Sequence, residues 1–578
     1  MNDQAFSTEQ QEYLKGFMAG VDAKRGAPGG SGGGEATDPN DLQRVAQDKV
    51  LAEGGKMVPE EEGKRKKNPL DRFAEIEAVA SENKFPKGID VFLTKYQGLF
   101  YVAPAQNSFM CRLRMPGGIL NTLQFRGIAA MAEEMGGGYT DATTRSNLQI
   151  REIGAAHAPE IITRLADLGL TSRGSGADNV RNVTGSPTAG IDAQELLDTR
   201  PDARRIHHHI LNHRELFGLP RKFNIAFDGS GTVPVLEDTN DIAFTAVPVA
   251  EGFGVTPGIY YRLALGGITG HKDFARQTGV ICLPSETTAI CDAILRVFIR
   301  SGDRTNRVKA RLKYVLDSWG FDRFLETVEA EMGRTLTRVP VEAIGPVPQQ
   351  SRSAHIGVHK QRQQGLSYVG VVLPVGRITV ARMRGLADVA DKYGSGTIRM
   401  TVWQNLLISD IPDGRVPNAL ADIAVLGLAT EAGPLRTGLV ACTGAAGCKF
   451  AAAHTKTHAA ELVDYLEERI VVDSPVNIHL TGCHNSCAQH YIADIGLLGA
   501  KVERGDDMVE GYDVHVGGGA GPQQAIGRLI RPAVAADELP PLLLSLLQNW
   551  QADRAAGEGF QAWTASKSDE ALSAMVSA

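Results

Sequence analysis

Four of the seven cysteines in this 578-residue chain fall into two close pairs. Cys442 and Cys448 stand in "ACTGAAGCKF" with five residues between them, and Cys483 and Cys487 stand in "HLTGCHNSCAQH" with three. Sparse cysteines gathered in this way point to metal or cluster ligation rather than to a secreted disulfide scaffold. Structural zinc usually spaces paired cysteines by two to four residues, so the C-x5-C pair fits zinc poorly while C-x3-C is allowed. An iron–sulfur cluster, whose ligands must reach several irons, accommodates both spacings. Zinc and unligated thiols are the alternatives. Cys448 opens the apolar-periodic segment "KFAAAHTKTHAAELVDYLEERI", so its sulfur is expected near a helix N-terminus, where the backbone dipole favours a thiolate.

The rest of the composition narrows the setting. A net charge of -7 and a pI near 6.1 provide no basic footprint for nucleic acid. No unbroken apolar run approaches the roughly 18 residues of a membrane span, and the N-terminus lacks an apolar leader core, so a cytoplasmic protein is expected. Phe6, Tyr13, Phe17 and Val21 can share a helix face within residues 1–25, before the flexible "GAPGGSGGGEATDP". "EEEGKRKKNPLDRF" reads as a solvated charged run in which Lys64 to Lys67 could meet an acidic carrier protein.

The elements that must position the cysteines come in duplicate. "PGGILNTLQFRGIAAMAEEMGGGYTDATTRSNLQI" (116–150) and "PVGRITVARMRGLADVADKYGSGTIRMTVWQNLLI" (374–408) align without a gap, with 12 of 35 positions identical. Ordinary compositions would give roughly two or three matches by chance. Each copy reads as a Pro/Gly turn, a helix, a Gly-x-Gly turn and one alternating strand ending in Asn-Leu-x-Ile. Such a unit leaves strand edges uncovered, so two copies are expected to close on each other. Downstream, "RNVTGSPTAG" is the counterpart of "VACTGAAGCK", and "LPRKFNIAFDG" that of "SPVNIHLTGCHNSC". The second half carries cysteines in these loops, whereas the first carries Arg181, Lys222 and Asn224.

This combination resembles the sirohaem-dependent nitrite and sulfite reductases from about residue 90 to 535. The resemblance implies an α/β (α+β) chain of pseudo-twofold duplicated architecture, with two ferredoxin-like half-domains and two α/β sirohaem/cluster domains. The implied layout is a helix and Gly-rich linker over 1–60, half-domains over 90–155 and 355–412, and α/β domains over 165–345 and 425–560. It further implies a [4Fe-4S] cluster on Cys442, Cys448, Cys483 and Cys487, with Cys487 also bridging to the sirohaem iron. Sirohaem is rich in carboxylates, which need cationic and polar partners when buried. By the same likeness Arg114, Thr143, Thr144, Arg145, Asn147 and Gln149 contact the macrocycle. Arg112, Arg181, Lys222 and Asn224 match the family's substrate pocket, where arginines hold a small oxyanion and a lysine can donate protons.

Within the family, sulfite reductases tend to read K-x-K where this chain has Lys222-Phe223-Asn224. Sulfite is partly a dianion near neutral pH and nitrite is a monoanion, so one cation fewer favours nitrite. "TTRSNLQIRE" also resembles the corresponding strand of ferredoxin-dependent nitrite reductases, although His484 and Ser486 depart from the commoner TGCPNGC loop. Six-electron reduction of nitrite to ammonia is therefore expected. Sulfite reduction, a cobalamin-pathway monooxygenase relative and a metal-stabilised binding protein are the alternatives. No strand-linked G-x-G-x-x-G fingerprint marks a built-in dinucleotide domain, and "VHVGGGAGPQQAIGR" reads as a turn, so electrons are expected from ferredoxin. A monomer is expected. "RRIHHHILNHRE" reads as a polar helix face, and Cys111, Cys282 and Cys291 as small core residues.

Overall fold

The computed structural model describes residues 41–576, so the helix expected within residues 1–25 lies outside the described residues. Mixed helices and sheets build the fold, with four five-stranded sheets in two matched pairs. One pair forms the ferredoxin-like half-domains. Its first sheet runs Leu99–Val102, Ser108–Arg112, Asn147–Ile153, Tyr139–Thr143, Arg377–Thr379, and its second runs Gly357–Lys360, Leu366–Val371, Leu406–Pro412, Thr397–Met400, Ile119–Asn121.

The last strand of each sheet comes from the other half of the chain. Arg377 pairs with Asp141 and Thr379 with Tyr139, while Ile119 pairs with Arg399 and Asn121 with Thr397. Reciprocal exchange of an edge strand removes one open edge from each sheet. The turns leading into the exchanged strands tolerate little side chain. Gly118 has φ +73°, and a Cβ there would lie 2.6 Å from Ser146 Cβ and 2.8 Å from Met400 O; Gly376, its repeat counterpart, has φ +75°.

Each exchanged strand feeds a helix, Thr122–Glu134 or Val380–Tyr393. Asn121 caps the first with a reciprocal bond to Gln124, and Thr379 accepts from Arg382 N in the second. The two helices pack together, with Arg126 bridging to Asp388 and Asp391 across the join. A single apolar core runs through both half-domains, from Phe125 and Ile128 to Leu386 and Ile408.

The single strand expected after each helix is in fact two. Tyr139–Thr143 and Asn147–Ile153 form a hairpin whose tip is Thr144–Arg145–Ser146, with Ser146 at φ +47°. A continuous alternating pattern across a tight turn conceals it. The hairpin projects Thr144 and Arg145 towards the cysteine loops.

The second pair of sheets shares one topology. Thr184–Gly185, Ile225–Asp228 and Ile242–Val249 run parallel, followed by antiparallel Gly258–Leu265 and Arg276–Cys282; Leu439–Ala441, Ile478–Thr481, Ile495–Arg504, Asp507–Val516 and Arg528–Ala535 repeat this order. The glycine-rich stretch near 516–528 joins the last two strands of its sheet, as a turn. Each sheet has its own apolar core, and Cys282 and Cys291 lie in the first. Cys111 is buried between the half-domains.

Two surface readings, of Lys64 and of the histidine-rich helix, are corrected, and one further helix covers the first α/β domain. Helix Asp41–Ala52 packs onto the first α/β domain through Ala46 and Gln47. Lys64 is not solvated: its side chain is buried, paired with Glu61 and, at 3.3 Å, with Asp178, and it donates to Leu219 O. Arg304 meets Glu61 at 2.7 Å and Arg307 meets Asp178 at 2.8 Å, so each charge in the network has an opposite partner. Burial pushes the Asp178 carboxyl up, but Lys64 and Arg307 outweigh it and hold it below the usual range. Likewise His207 is buried rather than on a polar face, and His209 bonds Asp292 at 2.8 Å.

Removing one partner from a buried ion-pair network leaves an uncompensated charge. Lys64→Met is expected to destabilise the protein by about 3 kcal/mol, read as a fall in the denaturant midpoint. A midpoint equal to that of an exposed control such as Lys49→Met would contradict the network.

Candidate functional site

The site lies where the Thr144–Ser146 hairpin tip, the two cysteine loops and the first-half loops meet. Thr144 Oγ1 donates to Cys487 O at 3.0 Å, and Arg151 Nη2 donates to Gly447 O at 3.0 Å. A Cβ at Gly447 would sit 2.0 Å from Arg151 Nη2, so this backbone approach needs glycine. First-half strands and second-half cysteines thereby form one surface.

Charge interactions link Cys487 to Cys442 and to Cys483, and Cys483 to Cys448, while among the described residues no three His, Cys, Asp or Glu side chains stand close enough together to hold a single metal ion. Burial pushes the Cys442 thiol up to about 11, and the negative charge of Cys487 adds to the shift. Burial also raises Cys483, which feels Cys487 and Cys448 as well. Four sulfurs within electrostatic range of one another resist simultaneous ionisation unless positive charge lies among them. All seven cysteines are free thiols.

The helix expected to begin at Cys448 begins at Thr455. Cys448 sits in an irregular loop, and Cys442 is the cysteine near that helix start, with its Sγ 3.6 Å from Thr455 Oγ1 and accepting from Gly482 N at 3.2 Å. "GAAGCKFAAA" lacks an early capping residue, and the helix starts at Thr455 without a side-chain cap, the Thr455 hydroxyl donating instead to Cys442 O.

Facing the cysteines is a set of cations. Arg112 lies 4.5 Å over the Phe100 ring, and its pKa is lowered by burial while Cys487 draws it back up. Burial lowers Arg181 well below its ordinary value, and Arg112 adds to this; its guanidinium donates to Ser175 O and Ala177 O. Burial, then Arg311, brings Lys222 down to about 7, with Cys487 acting in the opposite sense. Burial and Arg311 lower Arg145 to about 10, and burial lowers Arg114 to about 10. Among the described residues, no carboxylate pairs with Arg112, Arg114, Arg145, Arg181 or Lys222.

Arg114 carries the plainest demand for a partner: Nη1 donates to Val180 O at 2.8 Å, while buried Nε and Nη2 have none. Arg145 Nη1 donates to Asn240 at 2.7 Å, and its Nη2 donates to the Asn224 side-chain oxygen at 2.9 Å when that amide is oriented to satisfy both its ends. Thr143 Oγ1 accepts from Arg145 N, and Gln149 pairs with Arg112 in the strand register. Asn147 differs from its neighbours. It is buried, donates to Leu113 O and accepts from Leu148 N, so both ends of its amide serve the backbone.

The structure adds residues that the sequence did not single out. Lys95, brought down to about 8 by burial and then by Lys449, faces Arg112 and Arg181. Arg311 pairs with Asp241 at 2.7 Å, and Asp241 accepts from Asn224 N at 2.8 Å, which fixes the strand entry beside Lys222. The second half repeats this: Arg352 pairs with Asp494 at 2.7 Å, and Asp494 accepts from Asn477 N at 2.8 Å. The motif Asn-Ile followed seventeen residues later by Asp-Ile, present at 224/241 and at 477/494, was the available signal. At the site the charges are unmatched, with buried Arg114 and half-buried Arg112, Arg145, Arg181 and Lys222 facing thiols and no carboxylate partner among the described residues. Such a site fits a polyanionic group and an electron-deficient metal cluster.

The nitrite and sulphite reductase 4Fe-4S domain matches residues 176–336 and 432–563, and the nitrite/sulfite reductase ferredoxin-like half domain matches 103–168 and 359–426. The chain belongs to the nitrite and sulfite reductase family. A ferredoxin–nitrite reductase of Synechococcus elongatus is 36% identical to it over 87% of this chain and 98% of that relative. An assimilatory ferredoxin-dependent nitrite reductase of Haloferax mediterranei is 32% identical over 88% of this chain and 90% of that one. Among solved structures, the Mycobacterium tuberculosis NirA protein matches with a TM-score of 0.83 and 31% identity, covering 90% of this chain and 99% of that one.

The two family repeats predict unequal costs for the same change. Arg311→Met strands a buried Asp241 and should cost about 3 kcal/mol. Arg352→Met, at a side chain 28% exposed, should cost less because shortening it opens a path for water to buried Asp494. Equal shifts in denaturant midpoint would contradict this ranking.

Proposed function

We propose that this enzyme reduces nitrite to ammonia, taking six electrons from ferredoxin, with a sirohaem coupled to a [4Fe-4S] cluster. Cys442, Cys448, Cys483 and Cys487 would hold the cluster, with Cys487 shared with the sirohaem iron. Arg114, Arg145, Thr143, Thr144 and Gln149 would meet the macrocycle and its carboxylates. Asn147, named with them from sequence, is assigned instead to holding the strand. When bound, the sirohaem–cluster pair would supply the redox chemistry, passing the donor's electrons to the anion at a metal.

The chain's own groups divide the remaining work. Arg112 and Arg181 stay protonated and hold the anion; one cation about 4 Å from it is worth roughly 4 kcal/mol at an effective dielectric near 20. Lys222, brought to about 7 by its burial beside Arg311, is poised to give a proton at neutral pH. Asn224 contributes dipole but no charge, and its bond to Arg145 leaves it neutral beside a cation. The observation that carries the preference for nitrite over sulfite is this uncharged Asn224 two residues after Lys222, together with relatives named as nitrite reductases along almost their full length.

Both halves of the site come from one chain, so a monomer suffices. Its free thiols suit the reducing cytoplasm, and no helix among the described residues is long and apolar enough to cross a membrane.

Anaerobically purified protein should show a sirohaem absorption spectrum and, with reduced viologen, should form ammonium from nitrite faster than sulfide from sulfite. A colourless zinc protein, or faster sulfide formation, would overturn the reading. Asn224→Lys should move the ratio of kcat/KM values towards sulfite. Lys222 delivers protons only while protonated, so kcat/KM should fall on the alkaline side of pH 7, the anionic macrocycle setting how far above. Lys222→Gln should flatten that limb and lower kcat about a hundredfold, whereas an unchanged profile would remove Lys222 from proton delivery.

A further inference from the structure

The loop between Cys483 and Cys487 adopts a backbone that its residues do not favour. Ser486 has φ +50° and Gln489 has φ +58°, a left-handed conformation that costs any residue with a Cβ. Strain of this kind persists only where the surroundings over-determine it. Here they do. Ser486 N donates to Cys483 O at 3.1 Å and Gln489 N to Ser486 O at 3.0 Å. Ala488 N donates to Thr481 Oγ1, and Gln489 Nε2 donates to Thr239 Oγ1 at 2.9 Å.

Two contacts join side chain to side chain in this stretch, one of them Asn485 Nδ2 donating to Cys483 Sγ at 3.5 Å, and the other bears on Cys487. Ser486 Oγ and His490 Nδ1 lie 3.1 Å apart, and both residues are buried. His490 Nε2 has no partner, so Ser486 supplies the ring's only hydrogen bond among the described residues. The ring packs at a tilt against Tyr491, with centroids 3.8 Å apart, and meets His515 edge-on at 5.4 Å, so neighbours close on it from both sides. An aromatic wall thus holds His490, and His490 holds Ser486, next to Cys487.

We infer that the Ser486–His490 pair is a positioning device that fixes the direction of the Cys487 thiolate. It rests on the proposed cluster role of Cys487 but not on the choice of nitrite. Ser486 and His490 touch neither substrate nor iron in this assignment; they act through the backbone of Cys487. The device replaces the conformational freedom of a glycine in this loop with a hydrogen-bonded lock.

The test uses purified holoenzyme carrying Ser486→Ala, His490→Phe or His490→Asn, the last keeping a polar atom near the Nδ1 position. Cluster midpoint potential, the electron paramagnetic resonance spectrum of the reduced cluster, iron content and nitrite kinetics are measured for each. Ser486→Ala and His490→Phe should shift the potential in the same direction and alter the resonance lines. Both should lower kcat about tenfold, the scale of one lost buried hydrogen bond, with KM for nitrite unchanged, and His490→Asn should restore all three readouts. Wild-type potential and lines in Ser486→Ala or His490→Phe would overturn the proposal. So would iron loss or altered lines in His490→Asn equal to those in His490→Phe, since that would make His490 a residue of packing alone. Potential and lines are independent of substrate, so failure of the nitrite assignment would show separately, in wild-type product analysis.

Discussion

Cations drawn from water, fully at Arg114 and partly at Arg112, Arg145, Arg181 and Lys222, without counter-charge are the constraint on which the rest of the structure depends. Several buried charges elsewhere are matched: Lys64 and Arg304 meet Glu61, Arg307 meets Asp178, and Arg311 meets Asp241. At the site, Arg112, Arg181, Arg145, Arg114 and Lys222 have no such partner, and burial is the leading cause lowering the pKa of each. A fold tolerates this only if stable elements hold the charges in place and a polyanion completes them. The exchanged strands, the closed half-domain core and the paired Asp241 anchor provide that rigidity.

Duplication explains how one chain can carry both the cations and the cysteines. Two copies of the same sheet and loop order stand around a pseudo-twofold axis, and each anchors its central strand with an aspartate accepting the same backbone hydrogen bond. Having duplicated the scaffold, the halves diverged in their loops. The first presents Arg181, Lys222 and Asn224 where the second presents cysteines, so a coupled redox site needs neither a second subunit nor a second fold.

Much of this could be read from the residues because the signals are local. Paired cysteines, the gapless repeat and Lys222-Phe223-Asn224 are short patterns whose spacing carries the chemistry. The sequence hid what depends on distant partners. Nothing near Lys64 announces Glu61's second partner, Arg304, and nothing near Asp241 announces Arg311. The strand exchange was invisible because either copy of the short edge strand satisfies the same alternation. The hairpin tip at Thr144–Ser146 was missed because an alternating pattern ran across it, and the helix start was placed at Cys448 because apolar periodicity began before the helix itself, which starts at Thr455 with no side-chain cap to mark it.

If the unmatched cations are carried at a cost to stability for the sake of a polyanionic cofactor, removing one should have opposite consequences in the empty and loaded protein. The decisive measurement is the denaturant midpoint of cofactor-free wild type against cofactor-free Lys222→Met. The account predicts that the cofactor-free variant unfolds at the higher denaturant concentration, and that this gain disappears once sirohaem is bound. A cofactor-free Lys222→Met protein less stable than wild type would contradict it.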